Sequence, residues 1–194
     1  MSAHQITLET YPFVVDRPKM TEQMASMGWR SATSEEIPEL VELGERLIND
    51  RLASVAVVER VHKATGITAW AFGSDPMEGM VLSVPLSPDG LAALESNAFS
   101  PADPDPAHVA ADGELCAACY IGIYAGATHE ARKAVMTGAG LIRMVFFSQV
   151  PCFARAATED GARSMESLGW APAGFGPEKL WMQGMLAAPE RKVA

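Results

Sequence analysis

The stretch FARAATEDGARSMESLGWAPAG, residues 153–174, decides how the chain is read. Its beginning belongs to VPCFARAA (150–157), which has the apolar density of a strand, and EDGARSMESLG (159–169) reads as a short polar helix. That helix stops on Gly169, and a large aromatic, Trp170, follows at once, ahead of an Ala/Pro/Gly turn. A glycine past the last turn is a natural helix stop. The aromatic directly behind it needs a partner elsewhere in the fold.

Working outward, EKLWMQGML (178–186) reads as a final strand and ATHEARKAVMTGAGLIRMVFFSQ (127–149) as a long helix, with Thr128 as its cap and Glu130 in its first turn. ELCAACYIGIYAG (114–126) is the most strand-like segment of all. Before it, SPADPDPAHVAADG (100–113) carries three prolines from Pro101 to Pro106 and is a surface loop. SPDGLAALESNAF (87–99) is a short helix, and ITAWAFGS and EGMVLSVPLS form a hairpin across DPMEG. ASVAVVERVHKATG (53–66) is a helix closed by Gly66. In MGWRSATSEEIPELVELGERLINDRL (27–52), a short strand from Trp29 feeds a helix capped by Thr33 or Ser34, with Ile37, Leu40, Val41, Leu43 and Leu47 as its apolar stripe. Residues 1–27 form an extension, in which TYPFVV (10–15) could add an edge strand. The order of elements predicts a mixed α/β sheet with helices on both faces.

At 194 residues and 48% hydrophobic content the chain supports one sizeable core. A net charge of −9 argues against a nucleic-acid surface, which needs clustered Lys and Arg, and leaves room for a cationic substrate. No apolar run approaches a membrane span, and MSAHQITLETYPFVV has no basic leader ahead of an apolar stretch, so a cytoplasmic protein is expected. Three cysteines fit a reducing compartment. Cys116 and Cys119 make a CAAC, but no second pair completes a tetrahedral site, and on a continuous strand the two would face opposite sides of the sheet. They are read as core thiols, with no metal. The sequence has no Gly-x-Ser-x-Gly, His-Glu-x-x-His or Gly-Lys-Ser/Thr phosphate loop.

The order of elements together with Leu168-Gly169-Trp170 resembles the GNAT superfamily of acyl-CoA-dependent N-acyltransferases over residues 28–186. Gly169-Trp170 stands where that family has Gly-Phe, with the glycine left-handed and the aromatic anchoring the returning chain on the sheet. The resemblance implies a mostly antiparallel twisted sheet with an acyl-CoA, acetyl-CoA or another, as co-substrate. It also implies a small amine or amino-acid-like acceptor; many members of the family are homodimers. The family's pyrophosphate loop reads Arg/Gln-x-x-Gly-x-Gly/Ala. Here RKAVMT places Arg132 first but has Val135 and Thr137 for the glycines, whereas VMTGAG supplies Gly138 and Gly140 but begins on Val135. The first register keeps the strand-to-helix connection intact. It gives a cradle over 129–134 with His129, Arg132, Lys133 and Ala134, and Gly138 and Gly140 as packing residues. Arg132 and Lys133 read equally as ordinary solvent-facing helix residues.

The resemblance further implies that backbone amides of Tyr124, Ala125, Gly126 and Ala127 polarise the thioester carbonyl, with Gly122 and Gly126 admitting the pantetheine arm. The family's proton-donating tyrosine, four residues before Gly-Phe, is Met165 here. Tyr124 or water would have to supply that proton, or the chain does not catalyse in the usual way. Glu114, at the strand's start, could act as a general base through water or simply be solvated. His108 and the aspartates Asp103, Asp105 and Asp112 make the 100–113 loop either a lid that attracts an amine or an ordinary acidic loop. A non-catalytic protein of the same fold, binding acyl-CoA or a protein partner, is the alternative.

Overall fold

The computed structural model describes residues 13–73, 75–156 and 159–185. Residues 10–12 of the expected edge strand and residue 186 of the expected last strand lie outside the described residues. The chain opens with β1 (Phe13–Val14), α1 (Arg17–Ala25) and β2 (Trp29–Ser31), then α2 (Ile37–Ile48) and α3 (Val55–Thr65). The hairpin β3 (Ala69–Phe72) and β4 (Gly79–Leu86) leads to α4 (Pro88–Glu95), β5 (Leu115–Cys116) and β6 (Ala118–Gly126). After α5 (His129–Leu141) and a π-helical turn (Ile142–Phe146) come β7 (Cys152–Arg155), α6 (Glu159–Ser167), β8 (Ala171–Pro172) and β9 (Leu180–Gln183).

Seven strands form one sheet in the order β2-β3-β4-β6-β7-β9-β8. Every neighbouring pair is antiparallel except β6–β7, which is parallel because α5 carries the chain back across the sheet. One face packs Met20 and Met24 of α1 and Val135 of α5 against Trp29 and Trp70. On the other, α2, α3 and α4 bring Leu40, Val58 and Leu94 onto the sheet. The mixed, mostly antiparallel sheet with helices on both faces is therefore as the sequence predicts.

Local chemistry sets most boundaries. Ser54, Ser87 and Thr128 each accept a backbone N–H in the first turn of α3, α4 and α5. At α2 the expected Thr33 or Ser34 cap is replaced. The Glu36 carboxylate accepts the Thr33 N–H at 2.9 Å, and Arg30 holds that carboxylate at 2.5 Å, so the helix starts only at Ile37. The stop of α6 takes the predicted form. Gly169 has φ +81°, its N–H donates to Glu166 O, and the Trp170 N–H reaches back to Met165 O. Met165 and Trp170 then pack together against the core of the first face.

Two expectations are revised. ELCAACYIGIYAG is not one continuous strand: Ala117 breaks it, its N–H donating to Leu86 O at 2.7 Å, while Cys116 pairs with Phe13 in a separate two-stranded ribbon. The break shifts the alternation, so Cys116 and Cys119 bury on the same face rather than opposite ones. The extension is also more than an appendage, because α1, capped by Asp16, puts Met20 and Met24 into the same core as Trp29.

Helix α5 lies close on the sheet at Gly138, where an added Cβ would sit 2.8 Å from Trp29 Nε1, whereas one at Gly140 would meet nothing within 4 Å. Gly138→Ala is therefore expected to destabilise the protein by ~1–3 kcal/mol through overpacking. Gly140→Ala should stabilise it by up to ~1 kcal/mol through helix propensity. Urea unfolding of the two variants checks the opposite signs.

Candidate active site

The parallel pairing of β6 with β7 is short. Cys119, Tyr120 and Ile121 stand opposite Cys152, Phe153 and Ala154; β7 then ends at Arg155 while β6 runs on to Gly126. The cause is a bulge. Ile121 pairs with Ser83 and Ile123 with Leu82, so Gly122 is an extra residue in the ladder, and a bulge bends its strand. Beyond it β6 keeps β4 on one edge and diverges from β7 on the other. The Ala127 N–H donates to Glu78 O on the β4 side at 2.7 Å. By strand alternation the N–H groups of Ile123 and Ala125 also face β4, and those of Tyr124 and Gly126 face the open gap.

Gly126 sits where this gap meets α5. A Cβ there would lie 2.6 Å from Arg132 N and 2.7 Å from Ala131 C, so only glycine lets the helix start abut the strand. Thr128 takes two N–H groups of the first turn, Ala131 onto its Oγ1 and Arg132 onto its carbonyl. The N–H groups of His129 and Glu130 remain outside the helix ladder, pointing from the positive end of its dipole. From His129 the helix is regular through Leu141. Both RKAVMT (132–137) and VMTGAG (135–140) thus lie within the regular helix, and the free N–H groups precede both.

The sequence-predicted residues separate into those the gap gathers and those it does not. Tyr124 and Gly126 offer backbone N–H groups; Ala125 and Ala127 turn theirs to β4, which corrects their expected role. Ala134 is half-buried against the core and its amide lies inside the helix, so it has no free donor. His129, Arg132 and Lys133 share an open groove on the outer side of α5, and Lys133 pairs with Glu130 at 3.6 Å. Glu114 is not near Tyr124. It lies at the far end of the strand segment, accepting the Ala111 N–H at 3.0 Å, with its carbonyl taken by Val15 N–H. An extended chain rises about 3.3 Å per residue, which separates it from the gap by most of the sheet's height.

The Tyr124 hydroxyl is also elsewhere. It is buried without a hydrogen-bond partner among the described residues, and desolvation, with the neighbouring Cys119 and Cys152 thiols, pushes its pKa well above the usual phenol range. Arg143 lies on the same side, buried, donating to Gln183 Oε1 at 2.7 Å and to the carbonyls of Phe147 and Gly184. Tyr124 thus contributes a backbone N–H to the gap while its phenol is a core group.

On the opposite face a cavity of about 410 Å³ opens against the same bulge, lined by Val58, Val61, Leu82, Tyr120, Gly122 and Pro104. Its charged lining is Asp50, Arg51, Arg155 and Lys179. The proline-rich loop does form one wall, through Pro101, Ala102 and Pro104. Its aspartates are used otherwise: Asp103 binds Arg60 at 2.6 Å, Asp105 accepts the Ala107 N–H, and Asp112 accepts the Arg17 N–H. The Tyr120 hydroxyl has no hydrogen bond among the described residues; burial raises its pKa while Arg155 pulls it down. Tyr120, Arg155, Lys179 and Arg51 were not singled out from the sequence. The available signal was Arg155, a charge at the end of the apolar run VPCFA.

No protein-family model matches the sequence, and no curated protein matches it. Solved structures do. Ard1 from Thermoplasma volcanium superposes with a TM-score of 0.50 at 9% identity, over 82% of this chain and 97% of that one. The chain has the GNAT fold. A histone acetyltransferase HPA2 and related acetyltransferase from Corynebacterium glutamicum gives a TM-score of 0.48 at 16% identity, covering 84% and 97% of the two chains. The GNAT-like decarboxylase GphF, in complex with isobutyryl-CoA, gives 0.44 at 13% identity over 78% and 79%. No described helix is long and apolar enough to cross a membrane.

Because the Tyr124 phenol is buried and unpartnered, Tyr124→Phe should leave stability unchanged or raise it by ~1 kcal/mol. Gly126→Ala, by contrast, drives a methyl into the α5 backbone and should cost ~1–3 kcal/mol. Thermal unfolding distinguishes the two, and loss of stability in Tyr124→Phe would show that the hydroxyl has a bonding partner.

Proposed function

We propose that the protein is an acyl-CoA-dependent N-acyltransferase, transferring a short acyl group, acetyl in the simplest case, to a small amine. The observation that carries this reading is the gap beyond Ile121–Ala154. It has unpaired N–H groups of Tyr124 and Gly126 along one wall, the start of α5 at its end, and the cavity behind Gly122. An extended pantetheine arm fits such an edge because its amides can pair with a strand that has lost its neighbour. The His129 and Glu130 N–H groups, with the Arg132 and Lys133 side chains, would hold the pyrophosphate.

The reaction needs a neutral amine nitrogen to attack the thioester carbonyl carbon. The C–N bond forms as the C–S bond breaks, the electron pair leaves on sulfur, and the proton lost from nitrogen ends on the thiolate. In this reading a gap-facing backbone N–H polarises the carbonyl. With Met165 unable to donate and the Tyr124 phenol buried away from the cavity, Tyr120 takes the proton-donor role. Its raised pKa keeps the phenol protonated at neutral pH, and Arg155 beside it stabilises the phenolate that forms on donation.

One observation favours a second reading, a non-catalytic acyl-CoA or partner-binding protein. Residues 132–137 form regular helix where the family has a glycine loop, which leaves fewer amides for phosphate than a loop would.

Isothermal titration of the full chain with acetyl-CoA and with free CoA, followed by turnover on a panel of amines, tests these readings. The expected result is saturable binding of both, weakened in Arg132→Ala, with turnover. Tyr120→Phe should keep the binding and lower kcat by ~10²–10⁴-fold. Binding without turnover on any amine would favour the non-catalytic reading, and no binding of either ligand would sink the acyl-CoA assignment.

A further inference from the structure

The cavity behind Gly122 has a charge pattern that the chain as a whole does not. The protein carries −9 overall, yet three cations, Arg51, Arg155 and Lys179, line this cavity against one acid, Asp50. Asp50 is partly occupied, its Oδ1 accepting the Arg51 backbone N–H at 2.8 Å. None of the three cationic groups has a hydrogen bond or ion pair with a described side chain. Elsewhere three arginines have acidic partners, Arg30 with Glu36, Arg46 with Glu42 and Arg60 with Asp103. Arg51, Arg155 and Lys179 stand exposed around this half-open cavity, where like charges repel one another and a bound anion relieves the repulsion.

The fold holds these groups in place. Cys152 and Ala154 of β7 bury on the α5 side and Phe153 on the α3 side, so alternation sends Arg155 to the α3 side, over the cavity. It does so at the point where β7 leaves β6, next to the bulge. Lys179 sits at φ +59°, a left-handed backbone unusual for a lysine, fixed by the Leu180 N–H to Pro177 O bond at 3.2 Å. Arg51 comes from the linker between α2 and α3. The rest of the wall is largely hydrocarbon, with Val58, Val61, Leu82 and Val84. The loop aspartates that an amine would seek are engaged by Arg60 and by backbone N–H groups, as described above.

We infer that the acceptor bound in this cavity is an amino carboxylate: its carboxylate pairs with Arg155, supported by Lys179 and Arg51, its apolar body lies on the valine wall, and its amine points to the gap at Gly122. Arg155 can grip a carboxylate with two parallel N–H donors, which also fixes the amine's direction. A polyamine or a lysine-rich peptide would meet three cations instead. The inference rests on the acyltransferase reading for the word acceptor, but the carboxylate site itself does not.

The test is ligand-observed NMR binding on the full chain, with no acyl-CoA present. The probes are leucine, phenylalanine, their N-acetyl derivatives, and the decarboxylated amines 3-methylbutylamine and phenethylamine. At least one amino or N-acetyl carboxylate should bind and its decarboxylated amine should not. Arg155→Met should weaken that binding about 10- to 100-fold, the span of a charge-assisted pair, with Arg155→Lys recovering part of it and acetyl-CoA affinity unchanged. Lys179→Met, on an exposed turn, gives a second variant should Arg155→Met fold poorly, with a smaller loss expected. Amines binding as well as carboxylates, no carboxylate binding at millimolar concentration, or undiminished binding in both variants would overturn the proposal. Carboxylate binding that persists in a protein showing no affinity for acyl-CoA would sink the acyltransferase reading and leave this site standing.

Discussion

The rest of the structure depends on one interruption in the hydrogen-bond ladder. The pairing of β6 with β7 ends at Ile121 and Ala154, and the bulge at Gly122 turns β6 away from its parallel neighbour. A glycine is suited to that position because it adds no side chain to the wall that the gap and the cavity share. The same divergence fixes where α5 begins. Gly126 brings the strand against the helix backbone, so unpaired strand amides and the helix's free N–H groups converge on one opening.

Charge is distributed with a similar economy. The acidic side chains of residues 100–114 are consumed as structural acceptors: Asp103 on Arg60, Asp105 and Asp112 on backbone N–H groups, and Glu114 on Ala111. Each satisfies a donor that would otherwise be left unmade at a loop or ribbon. The charge lining the cavity is net positive, three cations against Asp50, although the chain is acidic. Net charge therefore gives little guidance to the character of this site.

The first face of the sheet serves stability. Arg143 ties the turn after α5 to β9 through carbonyl and amide oxygens, and the thiols and the Tyr124 phenol pack around it. The close contact of Gly138 with Trp29 sets how near α5 lies. Keeping α5 helical from His129 preserves that packing, at the expense of the glycine loop that the family resemblance leads one to expect.

Much of the fold was legible because its signals are local. Thr128 caps, Gly66 and Gly169 stop, and Trp170 behind Gly169 marks the return to the sheet; each acts within a turn or two of itself. The readings that failed turn on contacts that composition and periodicity do not show, one local and one between distant segments. Glu36 displaced the expected cap because Arg30 and Thr33 reach it. Ala117 broke the longest strand because Leu86 offers it an acceptor, and Cys116 changed sides as a result. The candidate site divides the same way. The family resemblance pointed to Gly122, Gly126 and the start of α5, which the structure puts at a bulge, a strand end and a helix N-terminus. Only tertiary structure decided that the Tyr124 phenol points into the core while Tyr120 lines the cavity, since one bulged residue resets the faces of a strand. Only tertiary structure, too, brought Arg51, Arg155 and Lys179 around a common space, because their convergence depends on where three separate segments end.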